Sequence, residues 1–330
     1  MSAFGAAAPV RLDLAGGWTD VPPYSAREGG VVVSAAVQLY ASAEVRTRER
    51  GYLLDSRDLD QALEYDDLSA LAGEGPLPLL RAGLRLFRPG PCALSTRSDA
   101  PPGSGLGSSG AIDVALVSAL ALAAGRTLTT REIADLACRL EGQEAGIPGG
   151  RQDQFVAAFG GFLRLGFHDP DATVEPIPVD GELSAELERR MLLCYTGASR
   201  FSGNTIGRVM RAYERGDAVV AGALDGLRGA AEAMGDALRA ADFGRIGELL
   251  SENWRLQQQL DGGMSTPEMR RLEAAMREAG CLGGKAAGSG AGGSMFFLAA
   301  DDPAPARQAV TRLGMQLLPV RWAAAGVRPC

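Results

Sequence analysis

Residues Pro101 to Ala111 read Pro-Pro-Gly-Ser-Gly-Leu-Gly-Ser-Ser-Gly-Ala and run straight into an almost wholly apolar or small segment, Ile112 to Ala124. Four glycines let a backbone come close to a ligand, and the helix formers behind them place a helix N-terminus at the end of the loop. Free amides and the positive end of the helix dipole favour a polyanion there. The pattern predicts a phosphate cradle opening a buried helix, with the Ser108 and Ser109 hydroxyls either capping that helix or reaching a metal ion. A glycine turn before a capped core helix gives the same sequence, so the rest of the chain has to decide.

At 330 residues the chain is long for one core and suits two packed subdomains. Hydrophobic content of 46% with 22% charged residues, and a mean hydropathy near zero, are the values of a soluble globular protein. The apolar run after Gly110 is too short to span a bilayer and contains Asp113 and Ser118, and no basic-then-apolar leader opens the chain. The expected location is the cytoplasm, with no membrane partner. A net charge of -7 without a basic block argues against a nucleic-acid partner. The five cysteines, Cys92, Cys138, Cys194, Cys281 and Cys330, are scattered without a C-x-x-C pair and read as reduced. His168 is the single histidine, which excludes a histidine metal cluster and makes a carboxylate the expected base. Of the 33 basic residues only Lys285 is lysine, and it stands in a second glycine-rich stretch, Gly283 to Gly293.

Hydrophobic patterning predicts strands over residues 7–15, 31–37, 41–47, 92–98, 191–196, 294–299 and 316–322, and a turn and strand over 160–165. Helices are expected over 77–87, from Ile112, over 129–144, 152–159, 205–215, 218–240, 244–260, 267–279 and 305–313. Residues 55–71 read as irregular. The proline- and acid-rich stretch 169–178 is the expected boundary between domains 1–172 and 173–330.

The glycine stretches exclude a Walker loop, which needs G-x-x-x-x-G-K-[ST]. Gly105-x-Gly107-x-x-Gly110 and Gly288-x-Gly290-x-x-Gly293 match a dinucleotide fingerprint literally. However, the first lacks a following strand with an acid and the second leads into a strand instead of a helix. A third reading joins three motifs: Pro101-x-x-x-Gly105-Leu106-Gly107-Ser108-Ser109, Ala8-Pro9-Val10-Arg11-Leu12-Asp13-Leu14-Ala15-Gly16-Gly17-Trp18-Thr19-Asp20, and Gly284-Lys285-x-x-Gly288-x-Gly290-x-Gly292-Gly293. In this order the chain resembles the GHMP kinases, named for galactokinase, homoserine kinase, mevalonate kinase and phosphomevalonate kinase, over essentially its whole length.

The resemblance implies an α/β (α+β) two-domain fold, with an N-terminal ribosomal-protein-S5-like domain and a C-terminal ferredoxin-like α+β domain. It implies that Pro102, Gly103, Ser104, Gly105, Leu106, Gly107, Ser108 and Ser109, with Gly288 and Gly290, hold ATP. Ser109 and Glu141 are the implied Mg²⁺ ligands, and Asp153 the group that accepts the proton of the attacking hydroxyl. Arg11 and Arg151 are implied to stabilise the γ-phosphate or the developing alkoxide, with Lys285 near phosphate or substrate. Gly17, Trp18, Thr19, Asp20, Gly149 and Gly150 fall on the sugar side, although an Asp after such a loop also simply fixes a turn. Phosphoryl transfer needs positioning and charge neutralisation more than covalent chemistry, which one carboxylate and several cations supply.

Within that family, Gly149 to Phe162, Tyr195-Thr196-Gly197-x-Ser199-Arg200 and Leu282 to Lys285 are similar to the D-glycero-D-manno-heptose 7-phosphate kinases, which phosphorylate an anomeric hydroxyl. Gly16-Gly17-Trp18-Thr19-Asp20 is closer to the L-fucose kinase domain, and Gly110, Ser289 and Ala291 depart from the usual residues. Arg200 or Arg97 is available for a 7-phosphate or for a surface salt bridge. The expectation is a Mg·ATP-dependent sugar or sugar-phosphate kinase, with a homodimer left open. A non-catalytic sugar sensor on the same fold and, further off, a dehydrogenase are the rivals.

Overall fold

The computed structural model describes residues 2–197 and 203–330. In chain order the first half comprises β1 (Ala3–Ala15), α1 (Tyr24–Arg27), β2 (Gly30–Thr47), β3 (Tyr52–Ser56), β4 (Gln61–Tyr65), α2 (Pro78–Phe87), β5 (Cys92–Ser98), α3 (Ser108–Ala123), α4 (Thr130–Arg139), α5 (Gln152–Phe159), β6 (Phe162–His168) and β7 (Asp171–Pro176). The second half comprises α6 (Gly181–Arg190), β8 (Met191–Tyr195), α7 (Gly203–Glu214), α8 (Ala218–Arg239), α9 (Phe243–Leu260), α10 (Pro267–Glu278), β9 (Cys281–Ala286), β10 (Ser294–Ala299), α11 (Ala304–Arg312), β11 (Gln316–Leu318) and β12 (Arg328–Pro329).

β2 organises the first sheet. It pairs antiparallel with β1 on one edge, while its other edge is shared, Gly30 to Ala35 with β6 and Ala41 to Thr47 with β5. Among the described residues the sheet runs β12-β1-β2-β5-β3-β4, with β6 and then β7 added beside β2. The second sheet runs β11-β8-β10-β9. Strand alternation sorts β10: Phe296 and Leu298 join the main core, while Met295 and Phe297 pack with Leu272 and Val310 of α10 and α11. Helices α8 and α9 tie the halves together, because Ala231, Met234, Leu249 and Leu250 belong to the same buried cluster as Leu12 and Val33.

Several elements differ from the pattern-based reading. The strands expected over 31–37 and 41–47 are one strand, β2, because a register shift at Pro9/Val10 of β1 absorbs the irregularity between them. The stretch 55–71, read as irregular, contains the end of β3 and all of β4, a hairpin hidden by the polar, exposed edge of β4. α6 was not expected; Asp180 caps it by accepting from Leu183 N at 2.8 Å. The expected strand 316–322 shortens to β11, and Trp322 instead bridges to Val37 of the first sheet. Residue 172 falls inside β7, which pairs with β6, so the first sheet continues to Pro176.

Candidate active site

β5 delivers the chain to the glycine loop, and Gly103, Gly105 and Gly107 adopt φ of 68°, 78° and 74°, the left-handed region that a side chain disfavours. Gly107 is the N-cap of α3 and no side chain caps that end, so the first-turn amides carry no side-chain partner from the cap position. Ser108 Oγ is buried without a hydrogen-bond partner, as is Ser104 Oγ. Pro102, Gly103 and Ser109 are exposed at the loop surface, whereas Leu106 is buried beneath it.

The loop is stitched on both sides. From β1, Arg11 N donates to Leu106 O at 3.0 Å and Arg11 Nη1 donates to Gly105 O at 2.6 Å. From the second glycine stretch, Ser294 N donates to Ser104 O at 2.8 Å, and a Cβ on Gly288 would sit 2.5 Å from Gly105 O. Gly288 O accepts from Gln257 Nε2 at 2.7 Å, and Gly290, at φ 81°, lies against Met264 O. The two glycine-rich motifs are thus in backbone contact, which a side chain at Gly288 would break.

Asp153 stands in the first turn of α5, where Arg11 Nε donates to its Oδ1 at 2.7 Å. A Cβ on Gly110 would lie 2.5 Å from Asp153 Cβ, and one on Gly107 3.0 Å from its carboxyl carbon. The bare face of the loop and of α3 is what admits this carboxylate.

Glu141 occupies a single wide turn, Leu140 to Glu144, that continues α4 with π-type bonding. Burial pushes its carboxyl up to about 7, and the Asp153 charge adds to that, while hydrogen bonds from Ser109 and Gln154 pull the other way. Gln154 Nε2 donates to Glu141 Oε2 at 2.6 Å and lies 3.5 Å from Asp113 Oδ2. Asp113, wholly buried in α3, is raised well above the carboxylate range by burial and by Glu141.

Asp20 completes the group. It is buried and accepts from Gln152 N at 2.9 Å; burial raises its pKa to about 6, with Asp153 and Asp13 adding to the rise. A Cβ on Gly150 would overlap Asp20 Oδ2, and one on Gly149 would lie 3.6 Å from Glu141 Oε2, so Gly150 packs against Asp20 and Gly149 lies near Glu141.

Two expected site residues point elsewhere. Arg151 Nη1 donates to Pro170 O at 2.7 Å and Nη2 to Asp171 O at 2.9 Å, with an ion pair to Asp169 at 2.8 Å and the guanidinium over the Phe167 ring. It docks the β6–β7 turn and makes none of the described contacts to Asp153. Lys285 lies in β9, wholly buried, and donates to Asp13 O at 2.6 Å and Asp13 Oδ2 at 2.7 Å. Burial pushes its pKa down, opposed by Asp13.

Thr19 is structural in its contacts: its hydroxyl oxygen lies 2.7 Å from Gly16 O and 3.0 Å from Val31 O, with one proton to share, and accepts from Val31 N at 3.1 Å. Trp18, at φ 83°, packs with Val209, Val220, Leu260 and Met264, and its indole N–H has no partner. Gly17 N donates to Asp13 Oδ1 at 3.3 Å. Arg97 is exposed and 3.8 Å from Asp99; Ser199 and Arg200 lie outside the described residues. Gln154, Asp113, Asp13, Asn253 and Gln257 are the participants that the sequence reading missed. A groove of about 430 Å³ between α7, α8 and the end of α9, lined by Arg208, Arg211 and Arg215, contains none of these residues.

The GHMP kinases N terminal domain family matches residues 78–161, and the GHMP kinases C terminal family matches residues 234–314. A D-glycero-alpha-D-manno-heptose 7-phosphate kinase of Campylobacter jejuni is 33% identical over 88% of this chain and 87% of its own length. The bifunctional fucokinase/GDP-fucose pyrophosphorylase of Arabidopsis thaliana is 28% identical over 89% of this chain, which spans 29% of that longer protein. Among solved structures, a D-glycero-D-manno-heptose 1-phosphate kinase from Bacteroides thetaiotaomicron superposes with a TM-score of 0.79 at 27% identity, covering 99% of this chain and 98% of its own.

Proposed function

Because the chain belongs to the GHMP kinase family and is a phosphotransferase, we propose that it transfers the γ-phosphoryl group of Mg·ATP to the anomeric hydroxyl of D-glycero-D-manno-heptose 7-phosphate. The observation that supports the transfer chemistry is Asp153 beside the glycine loop with Arg11 bonded to both, and the likeness to the Campylobacter heptose 7-phosphate kinase supports the choice of acceptor. Asp153 takes the proton of the acceptor hydroxyl, and Arg11 fixes the carboxylate's orientation while presenting positive charge where negative charge develops. Asp20, beside Gly150, accepts a hydrogen bond from a sugar hydroxyl. The glycine loop and the bare N-terminus of α3 receive the phosphates through backbone amides. Transfer is direct, without a covalent phosphoenzyme.

The donor set fits Mg²⁺. Glu141, held by Ser109 and Gln154, and the Ser109 hydroxyl offer hard oxygen ligands at the glycine loop, and the neighbouring Ser108 hydroxyl is buried without a hydrogen-bond partner. No group of three His, Cys, Asp or Glu side chains is assembled among the described residues. Mg²⁺ needs no such group, since it commonly takes one or two protein oxygens together with phosphate oxygens and water. When bound, the ion neutralises phosphate charge; Ser109 and Glu141 would hold it.

A second reading, an L-fucose-type 1-kinase, is favoured by Trp18, a bulky residue held at positive φ in the first-motif loop and next but one to Asp20. Purified protein incubated with Mg·ATP and a panel of heptose 7-phosphate, L-fucose, galactose and mannose, read by phosphorus NMR, tests both. A new anomeric phosphate on the heptose 7-phosphate is the expected result. Turnover of L-fucose alone overturns the first reading in favour of the second.

A further inference from the structure

We propose that Lys285 is a positioning residue for the acceptor side of the reaction: through Asp13 it sets the Gly16–Asp20 loop, and with it the Asp20 carboxylate. This rests on the reading of Asp20 as a sugar-hydroxyl ligand.

Lys285 is the single lysine of the chain and is fully buried, with its Nζ 5.8 Å from the centroid of the Phe296 ring. From β9 in the second sheet the ammonium reaches β1 in the first, donating to Asp13 O at 2.6 Å and to Asp13 Oδ2 at 2.7 Å. The other oxygen of that carboxylate, Oδ1, accepts from Gly17 N at 3.3 Å. One carboxylate is therefore shared between the lysine and an amide of the loop. Gly17 has no space for a side chain, since a Cβ would overlap Asp13 Oδ2.

The rest of the loop is tied down in the same direction. Gly16 N donates to Asn253 Oδ1 at 2.9 Å, and the Thr19 hydroxyl shares its proton between Gly16 O and Val31 O. Asp20 then meets Gln152 N on the far side. The register adds a parallel. Arg11 and Asp13 are two residues apart on β1, and their partners Ala287 and Lys285 are two residues apart in the third motif, with Arg11 Nη1 donating to Ala287 O at 3.0 Å. One rung ends on Asp153 and the other on the loop that carries Asp20, so the proton acceptor and the acceptor-binding carboxylate are referenced to a single strand.

A buried ion pair is weak evidence for stability, because apolar replacements of both partners are often neutral. Losing only the ammonium is different: Asp13 becomes an unpaired buried charge that competes for loop amides. This separates positioning from stability experimentally. Lys285→Met is expected to lower both the melting temperature and the acceptor kcat/KM, the latter by about 100-fold, the scale of a displacement near 1 Å, with the KM for ATP unchanged. The double variant Lys285→Met/Asp13→Ala removes the stranded charge, so its melting temperature is expected to recover relative to the single variant while the acceptor kcat/KM stays low. Recovery of both together, or an equal rise in both KM values, would overturn the proposal and leave a purely stabilising pair. Hydrogen exchange of the Gly17–Asp20 amides in the full chain gives a reading that needs no substrate. Faster exchange in the double variant supports the proposal and unchanged exchange defeats it. A wild-type protein that binds AMPPNP but phosphorylates no acceptor in the panel would fault the substrate reading alone.

Discussion

Arg11 Nε donates to Asp153 Oδ1 at 2.7 Å while the same guanidinium donates to Gly105 O at 2.6 Å and to Ala287 O at 3.0 Å, so one side chain joins Asp153, the proposed proton acceptor, to both glycine-rich motifs. Asp153→Asn keeps an oxygen toward Arg11 but cannot take a proton. The expected result is a fall in kcat of about 10³-fold, within the range of general-base losses, with AMPPNP affinity preserved by calorimetry. Arg11→Lys loses the planar fork that spans three acceptors and is expected to lower kcat as well. A fully active Asp153→Asn enzyme removes Asp153 from the mechanism.

The acceptor side carries a pH signature. Folding raises the Asp20 pKa from 3.8 to about 6, so the native state holds this proton more tightly than the unfolded chain does. Its contribution to stability is complete below pH 3.8 and is lost as pH rises through 6, a change of about 3 kcal/mol at most. Denaturant unfolding of the ligand-free protein between pH 4 and 7 should show that decline, and Asp20→Asn should make it shallower, leaving the part that the raised Glu141 and Asp113 carboxyls contribute. Acceptor binding runs the opposite way, because the ionised carboxylate is the better hydrogen-bond acceptor: the acceptor KM is expected to rise as pH falls below 6. An Asp20→Asn protein with the wild-type stability profile would show that another group titrates.

The contact between the two glycine-rich motifs is testable by a single methyl group. A Cβ on Gly288 would sit 2.5 Å from Gly105 O, against backbone that cannot rotate away. Gly288→Ala should push the phosphate loop outward and raise the KM for ATP by about tenfold or more, equivalent to 1–2 kcal/mol of misplacement. Gly262 has open space at its Cβ position, so Gly262→Ala serves as the control and should match wild type. Equal behaviour of the two variants in ATP titrations would show that the loop contact is not what shapes the nucleotide site.

Much of the candidate site's geometry was legible because it is carried by backbone. Glycines at 103, 105 and 107 announce positive φ, and the helix formers after them announce an N-terminus; β5, α5 and β10 fall on the residues that patterning predicts. Side-chain direction was less accessible. Arg151 and Asp153 are two residues apart at the start of α5, which places them about 200° apart around a helix, so proximity in sequence sends them to opposite sides. The strand nature of β9 was masked by Gly283 and Gly284, which are there because Gly247 and Phe297 pass too close for a side chain. Without that strand, alternation could not show that Lys285 and Ala287 face β1 together. Asp113 and Gln154 sit in helices and give no motif signal; only packing brings them to Glu141.

Glu141 supplies the last test. Its carboxyl is raised to about 7 by burial and by Asp153, and is held by Ser109 and Gln154, so near neutral pH proton and metal ion compete for the same oxygens. The magnesium concentration for half-maximal activity should therefore be higher at pH 6 than at pH 8. Glu141→Gln removes the competing proton together with the charge. That variant should need more magnesium at every pH and should lose the pH dependence of that requirement, while ATP binding in the absence of metal is retained. Magnesium titrations of wild type and variant at the two pH values decide the matter, and an unchanged magnesium requirement in Glu141→Gln would place the metal on other oxygens.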